Sequence, residues 1–279
     1  MPSIATNIAA NSTLRYLNMN SANQTDTLAK IASGSRIVRA SDDAAGLAVS
    51  TKLSATSGTL DQAATNAAHG ISILETADGG LSNISDILVR MKSLAAQSLS
   101  GAVTVTERAY IDAEFQELVA EIDSIATSTQ FNGESLIDGT TDWSDGTNVN
   151  FLLGTSTTND TLAIGLTDVS ADALGGDLTA LDVTDQTNAT AAAGAIDTAI
   201  GQVAAARASV GAAMSRFEFR ADNIDVSKEN VDSANSAIAD ADVAEEQAKL
   251  SSYEVLTNAA ISALSKANSM SQQLLSLFN

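Results

Sequence analysis

Cysteine is absent from the 279-residue chain, so neither a disulfide framework nor thiolate chemistry is open to it. Proline occurs once, as Pro2, and nothing beyond it forbids very long helices. Aromatic residues make up 4 % of the sequence. Small side chains of the kind that remain suit close helix–helix packing better than a thick globular interior. Positive charge is scarce: 14 Lys and Arg stand against 34 Asp and Glu, a net charge of −20. That balance argues against nucleic acid and anionic membranes as partners. His69 is the only histidine. With no cysteine to join it, the usual transition-metal sites cannot be built, and it is expected on a helix surface. No run approaches the roughly 20 apolar residues of a membrane span. The opening "MPSIATNIAANSTLR" has neither the cationic head nor the apolar run of a secretory signal peptide. Walker A, GxGxxG and HExxH patterns are all missing. No catalytic, cofactor-binding or metal site is therefore expected, and on these grounds alone the chain reads as soluble and cytoplasmic.

What is present is periodic. Apolar residues amount to 44 %, mainly Ala, Leu, Ile and Val, and they recur in steps of three and four. From Leu53 the steps pass through Leu60, Ala67, Leu74, Leu81, Leu88 and Ala95 to Ser98. This sustained heptad seam predicts a helix roughly 70 Å long. A second seam runs from Ile196 through Val203, Val210, Phe217 and Ile224 to Ile238, interrupted by the polar Arg207, Lys228 and Asn235. A shorter element carries Ile111, Phe115, Leu118, Ile122 and Ile125. Such helices can bury their seams only against one another, which predicts a mainly α fold, an elongated antiparallel long-helix bundle.

The ends read differently. Leu250, Tyr253, Leu256, Ala260, Leu264, Ala267, Met270, Leu274 and Leu277 line one face of a C-terminal amphipathic helix. The N-terminal seam of Leu14, Leu17, Ser21, Gln24, Leu28, Ile31, Ser35 and Val38 is half polar or small, and alone it is marginal in water. Two sticky terminal helices with no partner in the chain suggest one outside it. Between them, from about residue 130 to 190, the composition shifts to Thr, Asp, Asn and Gly. Asn132-Gly133 is a hairpin-turn signal, and "NVNFLLG" and "TLAIGLTDV" around "TSTTND" read as a second hairpin. This is a small β-hairpin insert with Trp143 as its local anchor. The acid surplus of the middle reads as a solvated outer surface, and so does the Glu245-Glu246 pair on its helix. "DGTTDWSDGTN" (138–148) fails the acid spacing of a calcium loop and reads as turns.

One stretch concentrates the scarce positive charge: "RIVRASDDAAGLAVS" (36–50). Ser41 is expected to cap the long helix, with Asp42 and Asp43 in its first turn. Arg36 and Arg39 are expected at the end of the preceding helix, each charge where the helix dipole favours it.

The enclosing "LAKIASGSRIVRASDDAAGLAVS" (28–50) resembles the N-terminal signature of bacterial flagellins. In order, "GISILETADGGLSNISDILVRMKSLAAQS" (70–98) is similar to the family's long rod helix, and "TQFNGESLIDG" (129–139) to the hairpin after its second rod helix. "IADADVAEEQAKLSSYEVLTNAAISALSKAN" (238–268) and "SQQLLSLFN" (271–279) resemble its C-terminal core. The resemblance implies a structural, non-enzymatic subunit that needs no cofactor and polymerises into the extracellular flagellar filament. It also implies export without a cleaved signal peptide, which replaces the cytoplasmic reading. In that family the termini are disordered in the free monomer and fold together as a coiled-coil inner tube inside an outer tube of long helices. On this reading residues 1–40 are the N-terminal inner-core helix and 41–139 the N-terminal part of the rod with its hairpin. Residues 140–190 are a small, variable, surface-exposed β-rich insert, 191–238 the C-terminal rod helix, and 239–279 the C-terminal inner-core helix.

The same resemblance assigns Leu14, Leu17, Leu28, Ile31, Leu250, Leu256, Leu264, Leu274 and Leu277 to contacts between subunits. It assigns Arg36, Arg39, Asp42 and Asp43 to the joint between the tubes. The implied partners are other copies of the chain, sister flagellins, the export apparatus and its chaperone, and the filament cap and hook-junction proteins. Thr155, Ser156, Thr157 and Thr158 are candidates for the O-glycosylation some flagellins carry. Arg90, Glu114 and Leu118 are compatible with the family's innate-receptor region, but Val89 and Ser93 depart from it, so weaker recognition is expected. Two further departures are Ala68-His69, where the family often has Asn-Asp, and Ser271-Gln272, where it often has Pro-Gln. A hook–filament junction protein of the same superfamily is the alternative, although it would usually depart from the rod helix at 70–98. A chemoreceptor-like rod would explain the heptads but not the hairpins.

Overall fold

A computed structural model describes residues 6–141, 143 and 149–277, with only the Gln273 side chain described beyond residue 270. In chain order it contains α1 (Ile8–Ser33), α2 (Ala44–Leu99), α3 (Val105–Ser128), β1 (Gln130–Phe131), β2 (Glu134–Ser135), β3 (Val149–Leu152), β4 (Thr161–Ile164), α4 (Gln186–Ala239) and α5 (Val243–Leu277). Short 3₁₀ turns at Leu174–Gly176 and Leu178–Ala180 precede α4. The fold is mainly helical, and the two expected hairpins are the sheets among the described residues. The chain divides into two compact units, one made from its two ends (up to Ser57 and from Asn230) and the other from Gly58–Glu229.

In the larger unit every seam position of α2 from Leu60 to Ser98 is buried, as the heptad stepping predicts. Ion pairs set α2 antiparallel to α4: Arg207 Nε lies 2.9 Å from Asp78 Oδ1, and Lys228 Nζ lies 3.4 Å from Asp61 Oδ1. Two of the polar members that interrupt the α4 seam, Arg207 and Lys228, are therefore matched on α2. Gly70 is required by close approach, because a Cβ there would come within 2.4 Å of the Phe217 ring. Thr104 and Glu107 form a reciprocal capping box that starts α3. The buried stripe of α3 is Ile111, Phe115, Val119, Ile122 and Ala126, with the expected Leu118 and Ile125 only half-buried. A straight helix drifts against a strict seven-residue step, and over this length the drift brings Val119 and Ala126 inward.

Asn132 (φ 53°) and Gly133 (φ 85°) supply the paired left-handed residues that a tight hairpin turn needs. In the second hairpin β3 and β4 run antiparallel with Val149 opposite Ile164. Trp143 anchors it as expected: its ring centroid is 6.0 Å from Phe151, which meets Phe217 of α4 edge-on at 5.5 Å.

Two expectations for the middle of the chain need correction. Residues 165–183 are not simply surface, since Val169, Ala171, Leu174, Leu178 and Val183 are each 1 % exposed or less and complete the core. Nor is the acid surplus only solvation. Asp123 Oδ1 accepts the Ala171 N–H at 2.7 Å, Asp112 Oδ1 accepts that of Val183 at 2.9 Å, and Asp185 caps α4 through Thr187 and Asn188. These carboxylates satisfy backbone donors of a segment that has little regular structure to do so.

In the smaller unit α1 and α5 pair antiparallel, with Asn7 Nδ2 donating to the Ala267 carbonyl at 3.0 Å, which corrects the expectation that the terminal helices lack a partner within the chain. The first turns of α2 meet the last turns of α4 through hydroxyls: Ser50 donates to Asn235 Oδ1 and Ser57 to Asp232 Oδ1, both at 2.7 Å.

Candidate assembly surfaces

The charged stretch at residues 36–50 does its capping differently from the expectation. Helix α1 ends at Ser33 with Gly34 in the left-handed conformation (φ 68°), and α2 begins only at Ala44. Arg36 and Arg39 thus lie outside both helices. Arg36 instead closes the end of α4: its guanidinium donates to the Ile238 carbonyl at 2.8 and 3.2 Å, and its backbone N–H donates to Ala239 at 2.6 Å. These carbonyls have no partner within α4, and a cation beside them also meets the negative end of the helix dipole. The cap of α2 is Asp43, whose Oδ1 accepts the Gly46 N–H at 2.8 Å, and not Ser41.

Asp42 folds back over the turn before α2 instead of entering the helix. Its Oδ2 accepts the N–H groups of Arg39 at 2.9 Å and Val38 at 3.1 Å. The Arg39 N–H, followed by the smaller pulls of Val38, Lys30 and the Arg39 charge, outweighs its modest desolvation and holds the carboxyl below its usual range. Arg39 reaches back to Asp26 of α1 at 3.3 Å, with both side chains exposed.

Across this joint stands the start of α5. Asp242 Oδ1 caps it through Ala244 at 2.9 Å and Glu245 at 3.1 Å. Glu246 is buried at 7 % exposure, which corrects its reading as solvated charge. It is held by Lys249 Nζ at 2.8 Å, and Lys249 also reaches Glu245 at 2.9 Å. The Glu246 and then the Glu245 hydrogen bonds raise the Lys249 ammonium above its ordinary value. These residues, with Lys30, Arg36, Asp42 and Asp43, line a recess of about 340 Å³. Asp242 followed by Glu245 is a helix-start pattern that could have drawn attention to this corner. The burial of Glu246 had no local signal, because it arises from packing against distant chain.

The α1–α5 pair leaves much apolar surface uncovered. Leu14 is 44 % exposed, Leu28 47 % and Leu256 46 %, while Leu250 is buried and Leu17, Ile31 and Leu264 are half-buried. Leu274 and Leu277 lie on α5, but their side chains fall outside the described residues. Tyr16, Met19, Val255, Ile261 and Met270 are also exposed by half or more. In the larger unit Arg90 Nε donates to Glu114 at 2.8 Å. Thr155, Thr157 and Thr158 are exposed on the β3–β4 loop and Ser156 is half-buried.

Comparison with known proteins gives this arrangement a family. Residues 4–142 match the bacterial flagellin N-terminal helical region and residues 193–278 the bacterial flagellin C-terminal helical region. The chain belongs to the bacterial flagellins. It is 37 % identical over 271 residues to a flagellin of Halalkalibacterium halodurans, covering 97 % of each chain. The crystal structure of Bacillus cereus flagellin matches with a TM-score of 0.51 at 30 % identity, over 57 % of this chain and 88 % of that one. A putative flagellar hook-associated protein from Vibrio parahaemolyticus has a TM-score of 0.58 at 18 % identity, over 71 % of this chain and all of its own. That second likeness shows a shared fold only, so the hook–filament junction alternative is not favoured. This flagellin is a structural subunit of the flagellar filament, the extracellular part of the flagellum, and its polymerisation partner is itself.

Proposed function

We propose that this flagellin builds the filament by burying the exposed sides of its α1–α5 pair against the same helices of neighbouring copies. The observation that carries the reading is the apolar surface left on two helices that already pair with each other, including Leu14, Leu28 and Leu256. Such surface favours association at about 25 cal/mol per Å² removed from water. Leu17, Ile31 and Leu264, half-buried along the same helices, add to these contacts, Leu274 and Leu277 continue the seam of α5, and Leu250 is already buried within the chain. Arg36, Arg39, Asp42 and Asp43 hold the joint at which each pair of terminal helices departs from the rod. The export apparatus, a chaperone, sister flagellins, the cap and the hook-junction proteins are the further partners this role requires. The exposed hydroxyls at Thr155, Thr157 and Thr158, with Ser156, are acceptors for O-glycosylation. Arg90, Glu114 and Leu118 form the surface available to an innate receptor. The role needs no catalysis and no cofactor.

Seeded growth of purified full-length chain, followed by electron microscopy, tests the proposal. Long uniform tubes are expected from the full chain, and none from a chain lacking residues 270–279 that keeps most of its helicity. A truncated chain that still grew long filaments would overturn it.

A further inference from the structure

In the larger unit, nearly every basic side chain is spoken for. Arg90 pairs with Glu114, Lys92 with Asp197, Arg207 with Asp78 and Lys228 with Asp61, and Arg108 donates to the carbonyls of Ser98 and Ser100. The exceptions among the described residues are Arg216 and Arg220, which make neither an ion pair nor a hydrogen bond. They are one turn apart on α4, and Phe219 stands between them at 75 % exposure. With Asn223 and the edge of Leu162 of β4 they line a shallow recess of about 400 Å³. Two unneutralised guanidinium groups around a bare phenyl ring are unusual on a chain of net charge −20. Arg is favoured at interfaces for pairing with carboxylates through its planar fork, and exposed aromatic rings are favoured as anchors there.

A complementary stripe lies on α3. Tyr110, Glu117 and Glu121 share one exposed face at the three-and-four spacing of a helix, with Tyr110 at 73 % exposure. Glu117 and Glu121 have no ion-pair or hydrogen-bond partner among the described residues. The two carboxylates are one turn apart, about 6 Å along the helix, and so are the two guanidinium groups.

We propose that the Arg216–Phe219–Arg220 face of α4 docks on the Tyr110–Glu117–Glu121 face of α3 in a second copy of this chain. Each arginine meets one glutamate, and Phe219, which lies between the arginines, is covered by the same α3 surface. This surface rests on the filament role above, but it is separate from the terminal helices that drive assembly there. Its occupant is a second copy because the two faces match in charge and in the one-turn spacing of the charges. Desolvation within a filament makes such pairs stronger than they are on a free surface.

A charge-swap experiment on full-length chain tests it, reading the critical concentration for growth on wild-type seeds. R216E/R220E and E117R/E121R should each raise that concentration about tenfold, and combining all four substitutions should recover most of the loss. Circular dichroism of each monomer should match wild type, since all four positions are exposed. Phe219→Ser adds a variant without charge change, with a several-fold rise expected. Unaltered growth of both double variants overturns the pairing, and so does loss without recovery in the quadruple variant. Failure of the wild-type chain itself to grow would instead strike the filament role, so the two readings fail separately.

Discussion

The larger unit fills its interior with large apolar side chains: Phe115, Phe217, Leu74, Leu81, Leu88, Met91 and Ile122 are all fully buried. The α1–α5 pair uses the same helical stepping, yet its buried places include Asn20, Thr27 and Ala260 beside Leu250. Its large apolar residues, Leu14, Leu28, Leu256 and Met270 among them, face outward. Periodicity therefore sets which residues share a face, while side-chain size and polarity decide whether that face is satisfied within the chain. One unit encloses its large apolar side chains, and the other leaves many of them uncovered.

The contrast can be broken most forcefully in the larger unit. Phe217→Ala removes a fully buried ring that packs on Gly70 and edge-on to Phe151. It should cost about 3–5 kcal/mol of that unit's stability, read from the urea midpoint reported by Trp143 fluorescence. A loss under about 1 kcal/mol would mean that this interior is not close-packed.

In the smaller unit the opposite substitution should help. Asn20→Leu places an apolar side chain at a position that is only 9 % exposed. It should strengthen the α1–α5 pair of the monomer by about 1–2 kcal/mol, seen as slower amide exchange in α1. An unchanged or faster exchange would show that the polar residue is needed to fix the pairing register. Leu256→Ala, on the outward side, should alter monomer stability by less than about 0.5 kcal/mol and yet impair filament growth. Equal effects on both measurements would erase the distinction between the units.

Much of this division was legible in the sequence. The seam from Leu60 to Ser98, the Asn132-Gly133 turn and the β3–β4 hairpin each carry a local pattern that one energetic effect dominates. The weak N-terminal seam was legible too, in its polar and small members. What escaped was long-range. Arg36 reads locally as belonging to the helix just before it, but it caps α4, whose carbonyls lie some two hundred residues on. Ser41 and Asp43 are both good cap residues, and only the path of the chain through Ile37 and Asp42 selects Asp43. Asp112 and Asp123 look like solvated acids until the segment at 165–183 folds over them. Arg216 and Arg220 gave no signal, because their distinction is the lack of partners that every other basic residue of the unit has.

The smallest expected effect separates the two units by acid. In the larger unit Asp182 is held below its ordinary value, first by the Thr184 hydroxyl and the Asn188 side chain and then by the Thr184 N–H. In the smaller unit Asp42 is held low, chiefly by the Arg39 N–H. A carboxylate depressed in the folded state contributes fully at pH values above its unfolded pKa, here 3.8 for both groups. The contribution fades as pH falls through the lower folded value, where the unfolded chain already binds the proton more readily. Neither unit should therefore change between pH 7 and about 5, and both should weaken below about 4. Asp182→Asn should flatten the acid limb of the larger unit only, and Asp42→Asn that of the smaller unit only. Amide exchange resolved by segment, corrected for the intrinsic pH dependence of exchange, reads the two limbs in one experiment. If either substitution flattened both limbs, the two units would be unfolding as one cooperative body, and their different interiors would not give them separate stabilities.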